Sequence, residues 1–147
     1  EAHATIGSLA RASMLALANY FELDSPRGFV DVKELDIPGR SSERVLDVVQ
    51  RLGGSVYITG HGAAKYLDHE LFENAGVSVE YMQYACTPYP QLHGPFTPYV
   101  SSLDLVANCG KQGRDYIHSP SLHWRTFIHG RTNEIPSRSR EQHPPVG

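Results

Sequence analysis

The sequence has 147 residues, 40% of them hydrophobic and 20% charged, with a formal net charge of −3 when histidine is neutral. That is enough chain for one domain with a core of ordinary size. Its Lys and Arg residues are scattered, which argues against a phosphate-tracking surface and hence against nucleic-acid binding, and no apolar run approaches the ~20 residues of a membrane span.

Ile6, Leu9, Ala10, Met14, Leu17, Ala18 and Phe21 recur mostly at three- and four-residue steps, which predicts a helix with one buried face. Asp24-Ser-Pro-Arg-Gly breaks it, and Phe29-Val-Asp-Val reads as a short strand. After the Pro38-Gly39 turn, Ser41 or Ser42 with Glu43 starts a second helix. It carries Val45, Leu46, Val48, Val49 and Leu52 and ends at Gly53-Gly54. Ser55-Val-Tyr-Ile-Thr is an apolar strand of the kind a parallel sheet buries on both faces. Gly60-His-Gly turns the chain into a third helix holding Ala63, Ala64, Leu67, Leu71 and Phe72, closed by Gly76, and residues 77–84 alternate as a strand.

Alternating helices and strands joined by short turns give an α/β class. The expected architecture is a layered, mainly parallel sheet of at least three strands, with flanking helices, a Pro-rich loop and short C-terminal helices. Val56–Thr59 is expected at its centre. Residues 1–130 read as a single α/β domain. Residues 131–147, with almost no apolar side chains, read as a disordered or loosely attached tail. The chain begins at Glu1 rather than methionine, directly before a helical pattern, and is expected to be a fragment of a longer protein.

The stretch 84–110 organises the rest. Prolines at 88, 90, 95 and 98 exclude helix and central strand from its first half. Tyr84, Tyr89, Phe96 and Tyr99 give it rings that a solvated linker has no use for, with Gln91 and His93 among them. A stiff aromatic loop can hold polar groups in fixed directions. Ser101 or Ser102 then caps a short helix over 103–108, stopped by Gly110.

A second candidate is Thr59-Gly60-His61-Gly62, because ligands of parallel sheets gather beyond the carboxyl ends of strands, near the N–H groups of the next helix. It lacks the third glycine and the acidic partner of a dinucleotide fingerprint. Eight histidines form no metal motif: His61 and His69 are eight residues apart, ~12 Å at helical rise, so no metal is expected. No cofactor is called for. His93, next to Gly94, suits proton transfer or a substrate hydrogen bond. Asp104 sits in a first helical turn, where a carboxylate is favoured. Cys86 and Cys109 have neither metal-ligand spacing nor a disulfide framework, which suits a reduced, cytoplasmic compartment.

Three runs together are similar to the WbqC-like protein family: Val56-Tyr-Ile-Thr-Gly-His-Gly-Ala-Ala-Lys-Tyr-Leu-Asp, Leu71-Phe-Glu-Asn-Ala-Gly-Val-Ser-Val-Glu-Tyr, and Tyr89-Pro-Gln-Leu-His-Gly-Pro-Phe-Thr-Pro-Tyr-Val-Ser-Ser-Leu-Asp-Leu-Val-Ala-Asn-Cys-Gly. The likeness covers roughly residues 5–117. It implies a bacterial protein of lipopolysaccharide O-antigen or related surface-glycan biosynthesis. By the same resemblance it would be a transferase modifying a nucleotide-linked amino sugar by acyl or aminoacyl transfer. The strand and Gln-Pro-x-Tyr-x-Pro segment with which family chains begin have no counterpart here. Onto matching positions the resemblance carries Thr59, Gly60, Tyr89, Gln91, His93 and Asp104 as pocket residues. With His61 and Gly62 they make the candidate site: His93 and Asp104 for catalysis, and Thr59, Gly60, His61, Gly62, Tyr89 and Gln91 for the ligand. Gln91 and His93 are expected to share a cleft with the N–H groups of residues 60–63. The expected partner is a small molecule, a nucleotide sugar, with no nucleic acid and no membrane span. The alternative is a non-catalytic ligand-binding or protein-interaction α/β domain.

Overall fold

The computed structural model describes residues 5–23 and 28–133. Most of the expected tail therefore lies outside the described residues, while residues 131–133 belong to the last helix. The chain divides into two compact units: a sheet unit, Pro38–Met82 with Ser121–Gly147, and a loop unit, Glu1–Ile37 with Gln83–Pro120.

In the sheet unit, α2 (Ser41–Arg51) leads to β1 (Val56–Thr59), a 3-10 turn (His61–Lys65), α3 (His69–Asn74) and β2 (Ser78–Met82). The chain returns as β3 (Ser121–His123) and α5 (Trp124–Asn133). The order is β1-β2-β3. β1 and β2 are parallel, Val56 opposite Ser78 and Thr59 opposite Tyr81, with a right-handed-type crossover expected of such a unit. The α/β class holds, and the sheet is mixed, because β3 runs antiparallel to β2 with Glu80 opposite His123.

The central strand is β2, not β1. Val79 and Tyr81 on β2 are fully buried, whereas Val56 and Ile58 on the edge strand are 45% and 55% exposed. Tyr57 faces the other way and stacks on Phe72 at 5.4 Å. β1 is thus covered on one face only, and its continuous apolar run is not a sign of burial on both. Phe72, Val79 and Tyr81 centre a core completed by Leu46, Leu67, Val77 and Phe127. The expected strand at Phe29-Val-Asp-Val is absent: the chain there is open, then forms a 3-10 turn (Val32–Leu35) whose N-terminus Asp31 caps at the Lys33 N–H.

The expected third helix is two pieces. Tyr66 leaves the helical conformation at φ −138°, and Asp68 starts α3 afresh by accepting the Leu71 N–H at 3.0 Å. The Asp68 N–H in turn donates to the buried Ser42 hydroxyl at 2.9 Å, tying α2 to α3. A local side-chain acceptor has overridden a continuous apolar spacing.

In the loop unit, α1 (Ile6–Tyr20) begins with a Thr5–Ser8 capping box. Its expected buried face is confined to its C-terminal end. Ala18 and the adjoining Phe21 are buried, while Ile6, Leu9 and Met14 are 86%, 53% and 51% exposed. Residues 83–101 form the proline-rich loop, followed by α4 (Ser102–Cys109) and a 3-10 segment (Gly110–Tyr116). As the sequence implies, Ser101 caps α4, its hydroxyl accepting the Leu103 N–H, and Gly110 ends it at φ 56°. Phe21, Leu105 and the buried Gly113 meet so closely that a Cβ on Gly113 would lie 2.8 Å from the Phe21 ring. Among the described residues no helix is long and apolar enough to cross a membrane.

Candidate functional site

Prolines donate no backbone hydrogen bonds, so the loop needs other groups to hold it. The Gln91 amide does this as a strand partner would. Its Oε1 accepts the Thr97 N–H at 2.7 Å, and its Nε2 donates to the Thr97 carbonyl at 3.2 Å. The same Nε2 donates to Asp104 Oδ2 at 3.0 Å and reaches the Tyr89 hydroxyl at 3.4 Å. Tyr89 donates its own proton to Asp104 Oδ2 at 2.7 Å. One turn along α4, Asn108 donates to the Asp104 carbonyl at 2.8 Å and accepts the Leu92 N–H at 3.0 Å. Loop and helix are thereby joined through Gln91, Tyr89 and the backbone of Leu92. Burial pushes the Tyr89 phenol above its ordinary range, and the hydrogen bond to Asp104 pushes it the same way. Tyr89 is a proton donor at neutral pH, not a base.

Beside this network lies a cavity of about 360 Å³. Its walls are mainly rings: Tyr84, Tyr89, Phe96, Tyr99 and Tyr116. Tyr89 meets Phe96 edge-on at 5.2 Å and 72°, and Tyr116 at 5.9 Å and 62°. Val100, Leu105 and Ile117 add apolar surface, and Thr87 and Cys86 add a hydroxyl and a thiol. Tyr99 is 90% exposed and is held at φ 62°, a conformation that bulky residues rarely adopt.

Of the residues singled out in the sequence, Tyr89, Gln91 and Asp104 come together here. Gln91 spends its amide on the loop and on Asp104. His93 is exposed beside Gly94 (φ 70°), and no described residue hydrogen-bonds to it. Thr59, Gly60, His61 and Gly62 belong to the sheet unit, whereas Gln91 and His93 belong to the loop unit. Gly60 and Gly62 face open space. The His61 Nε2 lies 2.6 Å from the Met82 carbonyl, and its ring lies 4.7 Å from that of Phe127. The segment after Gly60 is a five-residue 3-10 turn, so the long helix expected to present its N–H groups to an anion is not formed there.

Sequence reasoning missed two features. Tyr116, beyond the proline loop, closes the cavity from the 3-10 segment after α4; no periodicity marks it. The sheet unit also holds a cluster that runs from buried His69 and Tyr81 out to the surface. His69 Nε2 lies 2.7 Å from the Tyr81 hydroxyl, and its ring stacks on Trp124 at 4.6 Å. Trp124 Nε1 donates to Glu73 at 2.8 Å, and Arg125 pairs with the same carboxylate. Desolvation pulls His69 below the usual histidine value against the charges of Asp68 and Glu73. The Arg125 hydrogen bond holds Glu73 below the carboxylate range. Among the described residues no group of three or more His, Cys, Asp or Glu could hold a metal ion.

Comparison with known proteins bears on the whole arrangement. The profile of the WbqC-like protein family matches residues 1–116. The uncharacterized protein Rv1507c of Mycobacterium tuberculosis (strain ATCC 25618 / H37Rv) is 27% identical over 118 residues, 80% of this chain and 50% of that protein. The chain thus spans about half the length of this relative. No solved structure matches. With most of its length under the family profile, including the proline loop, α4 and the cavity between them, the chain belongs to the WbqC-like protein family.

Proposed function

We propose that the tyrosine-walled cavity of the loop unit holds the sugar of a nucleotide-linked amino sugar. The chain would then serve acyl or aminoacyl transfer to that sugar in lipopolysaccharide O-antigen or related glycan synthesis, in the cytoplasm. The observation that carries this reading is the cavity itself. It is small, ringed by aromatic side chains and braced by the Tyr89–Asp104–Gln91 network, the kind of rigid concave site that binds small molecules. The biosynthetic context is part of the proposal and goes beyond the family membership itself. In this reading Asp104 and Gln91 act through Tyr89 by fixing its ring, and proton transfer falls to His93, exposed on the same loop outside the cavity lining.

One observation favours a second reading, a ligand-binding domain without chemistry of its own: among the described residues no histidine or carboxylate lines the cavity. Calorimetric titration with a panel of nucleotide-linked amino sugars tests binding under both readings, and acyl transfer to the bound sugar separates them. At least one panel member is expected to bind, and Tyr116→Ala is expected to weaken it about tenfold, roughly 1.4 kcal/mol. If no member binds, or if Tyr116→Ala binds like the parent protein, the cavity is not the sugar site.

A further inference from the structure

We infer that the cavity takes an uncharged pyranose alone, with any amino nitrogen neutral or acylated, and leaves phosphate and base outside. This rests on the reading of the cavity as the sugar site and adds which part of the ligand enters it.

Charge is the first argument. Among the described residues the lining comprises tyrosines, Phe96, a threonine, a cysteine and three aliphatic residues, with no Lys, Arg, His, Asp or Glu. A phosphate placed there would lose water and meet no cation, and an ammonium would meet no carboxylate. Asp104 does not supply one: it is not part of the lining, and its Oδ2 already accepts from Tyr89 and Gln91. A protonated amino sugar is therefore excluded, and its neutral-amine and N-acyl forms are admitted.

Size and ring geometry are the second. A cavity of about 360 Å³ sits at the small end of the range of small-molecule sites, and a single sugar with its N-acyl group fits it. A nucleobase also stacks on aromatic rings, but it wants a slot between parallel faces. Tyr89 lies at 72° to Phe96 and 62° to Tyr116, so these rings form corners. A pyranose suits corners, because it presents C–H faces and hydroxyl edges in several directions. Tyrosine matches both with an apolar body and a polar tip. Tyr99, 90% exposed in its left-handed conformation, offers a ring from the cavity wall to the outer side of such a ligand.

The cysteines provide an internal probe. Both are free and half-buried, and only Cys86 lines the cavity. Iodoacetamide alkylation, read cysteine by cysteine by mass spectrometry, is run with neutral methyl N-acetylhexosaminides, with protonated glucosamine or with uridine diphosphate. Saturation transfer from aromatic protein protons to the same three ligand classes is recorded in parallel. The expected result is at least threefold slowing at Cys86 by a neutral glycoside, with Cys109 unchanged, and saturation reaching the glycoside ring protons. Uridine diphosphate and glucosamine leave Cys86 unprotected. Protection by uridine diphosphate or glucosamine equal to that by the glycosides would overturn the inference and leave the cavity standing as a ligand site. Absence of both protection and saturation transfer for every ligand, or effects that persist unchanged in Tyr116→Ala, would overturn the reading of the cavity together with it.

Discussion

Between positions 88 and 98 the loop has four residues without an N–H, and the Gln91 side chain replaces what the backbone cannot give. Its amide is committed to Thr97, Asp104 and Tyr89, so its effect on any ligand passes through the pose of the Tyr89 ring. His69 is the other residue whose setting changes its chemistry. It is buried against Trp124 and Tyr81, and desolvation holds its folded-state pKa below the usual histidine value of about 6.5. The sign follows directly. Above pH ~6.5 both folded and unfolded states hold it neutral and its full contribution to stability is present. As pH falls below that value the unfolded chain takes up the proton first, and stability is lost until the depressed folded value is passed. The thermal midpoint should therefore drop between about pH 7.5 and 5.5, and the drop should be shallower in His69→Phe, which keeps a ring and removes the titration. Equal slopes for the two proteins would show that His69 is not the group responsible.

At the scale of elements, the loop unit is held where α1 ends against α4 and the following 3-10 segment. Gly113 is the contact with no room to spare, its missing Cβ lying 2.8 Å from Phe21 and 3.0 Å from Leu105. Gly113→Ala should destabilise by about 1–3 kcal/mol through overpacking, read as a lower urea midpoint; an unchanged midpoint would mean that α1 and α4 are not locked together there. The elements most legible in the sequence were those set by local signals. α2 announces itself by spacing and Gly53-Gly54, α4 by the Ser101 cap and Gly110, and the β1–β2 parallel pair by the short apolar strands flanking a helical crossover. What was not legible depends on distant partners. Ser121-Leu122-His123 is too short to alternate, and becomes a strand only because the β2 backbone beside it is free to pair. Phe29-Val-Asp-Val has better strand composition, and no strand among the described residues pairs with it. The exposure of Ile6, Leu9 and Met14 is equally invisible to periodicity, which reports an apolar face and not what covers it. Of the site, the sequence pointed to the loop, to Tyr89 and to Asp104. It could not show that Gln91 turns inward, or that Tyr116 joins the wall.

For the molecule as a whole, two places compete for the ligand: the glycine turn of the sheet unit, which fold analogy favours, and the cavity of the loop unit, which geometry favours. Gly60 and Gly62 face open space and lead into a single 3-10 turn. The cavity has walls, a braced ring and polar tips. The most direct measurement is an amide and aromatic NMR titration of the isotopically labelled chain with a binding nucleotide-linked amino sugar. Shifts are predicted to centre on Tyr89, Phe96, Tyr99 and Tyr116. Shifts centred on Thr59, Gly60, His61 and Gly62, with the four rings unmoved, would contradict the account.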